Sequence, residues 1–353
     1  PHRHHASGGL GPEDTEILQV ADAQGAGVGE VILITGAAGF IGSAVVWELN
    51  NAGLTDLVLC DRFGSSEKWK NLRTRRFEDY VEAEDLFARL AEASWASKVE
   101  AVIHIGACSS TKQWDMTFLH GNNVAFSQRL GEWAVERGAK FIYASSAATY
   151  GDGSLGFSDS DELTPNLQPL NPYGFSKWLV DMWAIRHDFP ARAVGLRFFN
   201  VFGPNEYHKE DMASVIFNAF EKVKRERIIK LFKSHRSEFG DGEQSRDFVY
   251  VKDVARVVRY FLERPETQGI YNVGTGKARS FNDLAKALFA GLDLEPNIEY
   301  FDMPEELRDK YQYFTEADLG KLREAGYTEE FTPLEDAVDD YVRNYLAQDY
   351  RRL

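Results

Sequence analysis

A tyrosine and a lysine four residues apart, in the segment 171–177 that reads NPYGFSK, could carry out proton transfer. On a helix, Tyr173 and Lys177 would share one face, and an ammonium beside a phenol favours the phenolate and lowers its pKa. Ser146 follows an apolar run and would stand at the carboxyl edge of a parallel sheet, where ligands bind. The three side chains predict acid–base chemistry coupled to hydride transfer between an alcohol and a ketone.

Residues 35–43, which read TGAAGFIGS, predict a dinucleotide-binding turn. Its glycines, Gly36, Gly39 and Gly42, lie between an apolar run and a helical pattern. In that context the first permits a tight turn, the second a close approach of a pyrophosphate, and the third close packing of helix on strand. The N-terminus of the following helix would add N–H donors and partial positive charge. A purely structural glycine-rich turn is the alternative.

Asp61 ends the next apolar run, 19 residues after Gly42, where an acid would bond the adenosine ribose of a dinucleotide. Arg62 and Lys68 follow it, and cations at this place would favour a 2′-phosphate. We therefore predict NADP as the cofactor, with NAD as the alternative. For Lys68, plain surface charge is an equally acceptable interpretation.

Short apolar runs alternate with helical patterns over the first two hundred residues, which indicates βαβ units and a parallel sheet with helices on both faces. The predicted fold class is α/β, a Rossmann-type doubly wound parallel sheet with a smaller α/β substrate domain. Predicted strands cover 31–35, 57–61, 99–105, 140–145 and 192–198, and predicted helices cover 40–52, 83–92, 122–137 and 173–188.

After Phe199 this alternation breaks. Further helices are predicted near 213–227, 251–263, 281–290 and 333–347, and further strands at 269–273 and 297–301. We predict a dinucleotide-binding domain from 31–199 and 250–280, and a substrate-binding domain from 200–249 and 281–348. Residues 1–29, which begin with three closely spaced histidines, predict a flexible tail that could be partly an expression tag, or alternatively a histidine metal site.

Composition limits the classes of function. The chain has 353 residues, 44% hydrophobic and 27% charged, with a net charge of −15, which argues against a general surface for nucleic acid or anionic lipid. Its two cysteines form no CxxC pair, so no zinc site or other metal site is predicted for the folded part; buried, reduced thiols are expected. The long apolar run at 31–47 is interrupted by glycines and predicts no membrane span.

Five stretches, TGAAGFIG, YASSAATYG, NPYGFSK, RFFNVFGP and RDFVYVKDV, resemble the extended short-chain dehydrogenase/reductase (NAD-dependent epimerase/dehydratase) family. The resemblance implies that Ser146, Tyr173 and Lys177 form a catalytic triad. It also implies a bound NAD(P) that is regenerated in each turnover. Dehydratases of the family usually carry an Asp-Glu pair where residues 147–149 read AAT here, so elimination of water is disfavoured.

Three further stretches, GACSSTKQWD, HKEDMASV and YQYFTEADL, resemble members of the family that invert C6″ of an ADP-linked heptose. This resemblance implies that Lys209 is a second acid–base group, although the residues alone would suggest a surface lysine. It implies a cytoplasmic enzyme of lipopolysaccharide inner-core precursor synthesis and a homo-oligomer, namely a pentamer. The alternatives are an epimerase or reductase for another nucleotide sugar, or a binding protein that senses a cofactor without turnover.

The same resemblance assigns individual contacts. The implied cofactor contacts, besides the glycines, are Phe40, Ile41, Asp61, Arg62, Lys68, Ile105, Gly106, Ala107, Cys108, Ser109, Asn122, Tyr173, Lys177, Val201 and Lys209. The implied substrate contacts are Ser146, Asn200, Asn218, Phe232, Lys233, Ser234, Arg246 and Tyr311.

Some positions depart from the family pattern or allow a second interpretation. Arg62 stands where asparagine is usual, Ile105 where glutamate is usual and Asp211 where serine is usual. The segment 235–245 is longer than usual and could extend a lid or an oligomer contact. The guanidinium of Arg246 would suit a diphosphate, while an ion pair with its acidic neighbour Asp247 or with Glu243 is the alternative.

Overall fold

The computed structural model describes residues 30–188, 193–308 and 311–353, so the predicted tail at 1–29 lies outside the described residues. The strands are β1 Val31–Thr35, β2 Leu57–Asp61, β3 Asp79–Glu82, β4 Val99–His104, β5 Lys140–Ser146, β6 Ala193–Phe198, β7 Asn200–Phe202, β8 Ile229–Phe232, β9 Ser245–Arg246, β10 Phe248–Tyr250, β11 Gly269–Val273, β12 Arg279–Ser280 and β13 Ile298–Phe301.

Seven of these strands form one parallel sheet in the order β3-β2-β1-β4-β5-β6-β11. The run VILIT of β1 is buried at every position, as expected for a central strand covered on both faces. The strand order reverses between β1 and β4, and a crevice opens at such a switch point beyond the carboxyl ends of the strands. The predicted Rossmann-type doubly wound sheet is confirmed.

The α-helices are α1 Phe40–Asn51, α2 Leu86–Leu90, α3 Ala93–Ala96, α4 Met116–Leu119, α5 Phe126–Glu136, α6 Pro172–Arg186, α7 Val215–Glu226, α8 Val251–Leu262, α9 Phe281–Gly291, α10 Glu305–Arg308, α11 Gly320–Glu324 and α12 Leu334–Tyr341. No helix within the described ranges is both long and apolar enough to cross a bilayer.

Two local predictions were wrong. The segment 79–82 forms the edge strand β3, which went unpredicted because DYVE carries two acids, and the helix predicted at 83–92 is divided into α2 and α3. The helix predicted from 122 begins earlier, at Met116, and contains a π-helical turn at His120–Ala125. Single π-turns inside α-helices occur mostly at functional sites.

A second apolar core lies outside the sheet and is assembled from two separated stretches of chain. Phe220 and Phe202 come from the stretch before β11, while Phe289 and Tyr341 come from the stretch after it. Leu322, in contrast, packs into the sheet core although it falls within the range predicted for the substrate domain. The domain boundaries themselves remain predictions.

Candidate active site

The glycine turn between β1 and α1 packs so closely on neighbouring backbone that side chains would not fit. Gly36 has a φ of +67°, and a Cβ added there would lie 2.6 Å from Cα of Gly106, which follows β4. A Cβ on Gly42 would collide with the carbonyl oxygen of Gly36. The glycines thus allow close backbone packing, and all three also line a cavity, where a pyrophosphate could approach the turn closely.

Asp61, at the end of β2, holds this turn in place. Its Oδ2 accepts hydrogen bonds from the backbone N–H of Ala38 at 2.9 Å and of Gly39 at 3.2 Å. Its Oδ1 accepts from Nζ of Lys68 at 2.7 Å, and both side chains are largely buried. Lys68 is thus part of the site rather than plain surface charge, since it pairs with the acid that positions the turn.

Arg62 and Asn122 lie on the outer side of this group. The Arg62 side chain is half exposed, and its guanidinium donates to Glu84 and, at 2.6 Å, to Oδ1 of Asn122. Together with Asp61 and Lys68 they border a cavity of about 220 Å³. Four predicted cofactor contacts therefore meet at one place, beside the glycine turn.

A larger cavity of about 620 Å³ lies over the carboxyl ends of the strands. The four predicted catalytic residues all line it, namely Ser146, Tyr173, Lys177 and Lys209. Other predicted contacts that line it are Gly36, Gly39, Phe40, Ile41, Gly42, Asp61, Lys68, Ile105, Gly106, Ala107, Ser109, Asn200 and Val201.

The start of α6 sets the position of Tyr173. Asn171 caps the helix by accepting from the N–H of Gly174 at 2.8 Å, and Pro172 occupies the first helical position, where its missing N–H costs nothing. A Cβ on Gly174 would lie 2.6 Å from the carbonyl oxygen of Ala148, so glycine permits the helix to approach the turn after β5. Ser146, the last residue of β5, accepts from the N–H of Ala148 at 3.1 Å.

Burial dominates the titration of the tyrosine and the lysine. It raises the pKa of Tyr173, and a hydrogen bond with Ser146 acts in the opposite direction. Burial also lowers the pKa of Lys177 to about 8, while its ammonium donates to the carbonyl oxygen of Ala144 at 2.8 Å. The prediction that the ammonium lowers the pKa of Tyr173 was wrong, because burial raises this pKa and the influence that opposes it is the hydrogen bond with Ser146, not the charge of Lys177.

A fully buried ion pair lies behind Lys177. Asp181, one turn further along α6, accepts at 2.9 Å from Nε of Arg197 and at 2.9 Å from Oγ of Ser145, while Tyr143 donates to its other oxygen at 3.1 Å. The carboxylate of Asp181 raises the pKa of Lys177 against the effect of burial. Sequence reasoning missed Asp181, although its spacing of four from Lys177 on a helix placed it within reach.

The π-helical turn ties the predicted cofactor segment 105–109 to α6. Asn123 accepts from the N–H of Cys108 at 2.9 Å and donates to its carbonyl oxygen at 2.9 Å. The same amide donates at 3.0 Å to Ser176, whose hydroxyl donates at 2.7 Å to the carbonyl oxygen of Tyr173.

The two cysteines differ in burial. Cys108 is half-buried, so the expectation of two buried thiols holds only for Cys60, and burial raises the pKa of that thiol to about 12.

Lys209 belongs to a second wall of the cavity, which is formed by residues between His208 and Ile216. Its Nζ lies 5.2 Å from the centre of the Phe40 ring, and burial lowers its pKa while nearby Glu206 raises it. Glu206 is itself buried and accepts from Oγ of Ser214 at 2.7 Å and from the hydroxyl of Tyr341 at 3.0 Å. A network that includes a residue of α12 therefore anchors this wall.

Asn205 anchors the same wall to the glycine turn. It has a φ of +78° and donates at 2.9 Å to Oγ of Ser43 on α1. The backbone N–H of Leu353 donates to its side-chain oxygen at 3.0 Å. Asp211, which departs from the family pattern, is exposed and pairs with Lys112 at 3.0 Å, so its charge lies away from the cavity.

Arg246 is buried, and its guanidinium forms no salt bridge with a carboxylate of the described residues, although it donates to the carbonyl oxygen of Ser245 at 2.9 Å. The alternative ion pair was wrong, because Asp247 accepts from Thr275 at 2.7 Å and Glu243 from Asn282. The guanidinium carbon lies 5.1 Å from the ring of Tyr311. Because a buried charge without a counter-charge is costly, this guanidinium is suited to an anionic ligand.

The remaining predicted substrate contacts are not among the residues that line the large cavity, and of these Tyr311 and Phe232 lie beside Arg246. The Phe232 ring lies 6.0 Å from that of Tyr311, and Phe281, which lines the cavity, lies 5.7 Å from the Arg246 guanidinium carbon. The other three predicted substrate contacts, Lys233, Ser234 and Asn218, interact with residues of the chain close to them. The Nζ of Lys233 lies 3.6 Å from Asp302, the N–H of Ser234 donates to Asp241 at 2.8 Å, and the amide of Asn218 donates to the carbonyl oxygen of Ala213 at 3.0 Å.

Comparison with known families agrees with this arrangement. The sequence model described as the NAD dependent epimerase/dehydratase family matches residues 32–274, more than half of the chain. The chain belongs to this epimerase/dehydratase family. The predicted family membership is therefore confirmed, and the chain is nicotinamide-dependent as its family is.

Similar proteins of the epimerase/dehydratase family include the ADP-L-glycero-D-manno-heptose-6-epimerase of Nitratidesulfovibrio vulgaris strain Hildenborough, 53% identical over 89% of this chain and 98% of that protein. The protein of the same name from Fusobacterium nucleatum is 47% identical over 90% of this chain and 99% of its own length. The crystal structure of Helicobacter pylori ADP-L-glycero-D-manno-heptose-6-epimerase has a TM-score of 0.74 and 29% identity, covering 90% of this chain and 96% of that one.

Proposed function

We propose that the protein interconverts ADP-D-glycero-D-manno-heptose and ADP-L-glycero-D-manno-heptose by inverting C6″. The observation that carries the proposal is that Tyr173 and Lys209 line one cavity from different walls, beside the glycine turn. Inversion through a ketone needs a proton-transfer group for each orientation of the sugar carbon. The names of the similar proteins support the choice of this substrate over other nucleotide sugars.

A nicotinamide cofactor, when bound, would supply reversible hydride transfer. The glycine turn would receive its pyrophosphate, and the buried ammonium of Lys177 would hold its ribose. Tyr173 would move a proton to or from the C6″ oxygen in one orientation, with Ser146 orienting that oxygen. Lys209 would do so in the other, since burial lowers the pKa of its ammonium towards the range where a lysine exchanges protons.

Arg246 would bind the diphosphate of the sugar nucleotide. Its buried guanidinium offers planar donors that match phosphate oxygens. The rings of Tyr311 and Phe232, packed edge to face beside it, offer apolar surface for the adenosine or the sugar. The anion would also compensate the buried positive charge.

We propose NADP rather than NAD as the cofactor. Support comes from Arg62 and Lys68, which follow β2 and border the smaller cavity beside Asp61. A 2′-phosphate there could replace Glu84 as the partner of the half-exposed guanidinium. Titration of the purified protein with each dinucleotide tests this: the dissociation constant should be lower for NADP, and a lower constant for NAD would contradict it.

The test of the function itself uses both epimers and two variants. The wild-type protein should convert each epimer of ADP-glycero-manno-heptose into the other without added cofactor. Each of the variants Tyr173→Phe and Lys209→Met should still oxidise one epimer, and the epimer should differ between the two. The absorbance of the reduced nicotinamide measures this oxidation. If the wild type leaves both epimers unchanged, the proposed substrate is wrong. If both variants lose both epimers alike, the assignment of two proton-transfer groups fails.

We further propose, from the family resemblance, a homo-oligomer of five subunits that acts in the cytoplasm in the synthesis of lipopolysaccharide inner-core precursors. Sedimentation equilibrium would measure the molar mass of the assembly against a chain of 39.9 kDa. A monomer at micromolar concentration would contradict this part of the proposal without affecting the chemistry.

A further inference from the structure

His208 stands between the anchored Tyr207 and the proposed acid–base group Lys209, and its side chain lines the large cavity. Its Nδ1 is buried and has no hydrogen-bond partner within the described ranges. Buried polar side-chain atoms nearly always have a partner, so an unpaired one at the wall of a cavity indicates a ligand.

Positive charge surrounds the ring. Lys68, Lys209 and Arg352 all oppose protonation of His208, and together with burial they lower its pKa to about 4, whereas Asp61 alone acts in the opposite direction. The imidazole is therefore neutral near pH 7 and can donate one hydrogen bond without adding charge. Lys68 and Lys209 also line the cavity, and two cations beside this ring favour an anion there.

The backbone on either side of His208 is held by contacts with other parts of the chain. The hydroxyl of Tyr207 donates to the carbonyl oxygen of Arg351 at 2.7 Å, and the Arg352 guanidinium carbon lies 5.1 Å from the Tyr207 ring. Asn71 joins the two sides of the site, since its amide donates to the carbonyl oxygen of Ala38 at 2.9 Å and to that of Asn205 at 3.3 Å. His208 and the three glycines of the turn line the same cavity.

We propose that Nδ1 of His208 donates a hydrogen bond to a phosphate oxygen of the bound nicotinamide dinucleotide. The phosphate could be either of two groups, because His208 lines one cavity together with the glycine turn, which would receive the pyrophosphate, and with Lys68, which would face a 2′-phosphate. This inference rests on the cofactor part of the proposed function and adds a residue that neither the glycine motif nor the acid after β2 indicates.

The test compares two substitutions at one position. His208→Leu removes the donor and keeps an apolar side chain, whereas His208→Asn keeps an N–H close to the position of Nδ1. Titration of purified protein, freed of nucleotide, with NADP and with NAD should give dissociation constants about 10–100-fold higher for His208→Leu, the range for a lost hydrogen bond to a charged group. His208→Asn should recover most of that loss.

The two dinucleotides separate the two phosphate groups. Equal weakening of NADP and NAD would assign the pyrophosphate, and weakening of NADP alone would assign the 2′-phosphate. Unchanged constants in His208→Leu, or a loss that His208→Asn does not recover, would overturn the proposal. His187→Ala, which removes an exposed imidazole bonded to Trp183, is the matched control and should leave both constants unchanged. Epimerisation is measured separately, so failure here leaves the proposed reaction untouched.

Discussion

The two walls of the large cavity are built differently. On one side Ser146 ends a buried strand, and Tyr173 and Lys177 occupy one face of a capped helix. On the other side Lys209 lies in an irregular segment that precedes a 3₁₀ turn at Glu210–Met212. Hydrogen bonds to distant parts of the chain hold this second segment, whereas secondary structure positions the first wall.

The difference shows how each wall would respond to change. A helix keeps the spacing of four residues through its own backbone bonds, so the first wall tolerates changes elsewhere in the chain. The second wall depends on side chains such as Asn205 and Glu206, whose partners come from α1, α12 and the segment at Leu353. Long-range substitutions should therefore disturb Lys209 before they disturb Tyr173.

The largest effects should come from removing either proton-transfer group. Tyr173→Phe and Lys209→Met should each lower kcat by about 10²–10⁴-fold, the range of general acid–base catalysis, with the dinucleotide still bound. Steady-state kinetics and fluorescence titration measure the two quantities. If only Tyr173→Phe lost turnover, the two walls would not be equivalent, and inversion through two acid–base groups would be contradicted.

The next largest effect is expected in the pH profile of the activity, which reports on Lys177 of the first wall. The ammonium of Lys177 is present below its pKa of about 8 and absent above it. Activity that needs the charged form should fall as the pH rises through 8, roughly tenfold per pH unit well above it. Lys177→Arg, which stays charged, should have a lower maximal rate but no such fall. A fall that persists in Lys177→Arg would assign the titration to another group.

A moderate effect is expected from Asn205→Gly, which keeps a residue that accepts the φ of +78° but removes both side-chain bonds. Leaving Ser43 and the N–H of Leu353 without these partners should lower the free energy of unfolding by about 1–3 kcal/mol. Urea denaturation measures that loss. The proton transfer of Lys209 should weaken more than that of Tyr173, and an equal loss in both would mean that the walls are not independently held.

The smallest effect should come from Asp211→Ser, which restores the residue usual in the family. Its salt bridge with Lys112 joins two exposed side chains, which are 84% and 68% accessible, respectively. Exposed pairs contribute between zero and about 1 kcal/mol. Thermal unfolding and kcat should both stay near wild-type values, and a large change in kcat would show that Asp211 acts in the cavity.

Local patterns predicted the first wall well. The spacing of Tyr173 and Lys177 and the position of the glycines after β1 depend on residues close in sequence, and the cavity contains them all. Local patterns could not predict the pKa values of these side chains, which depend on the balance between burial and nearby charge. Lys177 is neighbour to Tyr173 on the helix, yet its ammonium bonds to Ala144 from another strand, a contact that only the assembled sheet provides.

The second wall could not be predicted from local sequence patterns. From its neighbours alone, Lys209 was a surface lysine, and family resemblance rather than local chemistry singled it out. The short strands between β6 and β11 carry too few residues for a periodic pattern, so β7 and β10 were not predicted. The sequence allowed Arg246 either to bind an anionic ligand or to form an ion pair with a nearby acid. Only the structure excluded the ion pair with Asp247, because Asp247 accepts from Thr275 instead.

The pairing of β11 with β6 has a consequence for how the molecule assembles. Residues 199–268 lie between these neighbours in the sheet, so closing that loop costs entropy before the seventh strand is held. The second core also needs α9 and α12, which come later in the chain. During synthesis the wall of Tyr173 can therefore form first, and a growing chain would possess its dinucleotide-binding turn well before it could carry out the proposed inversion.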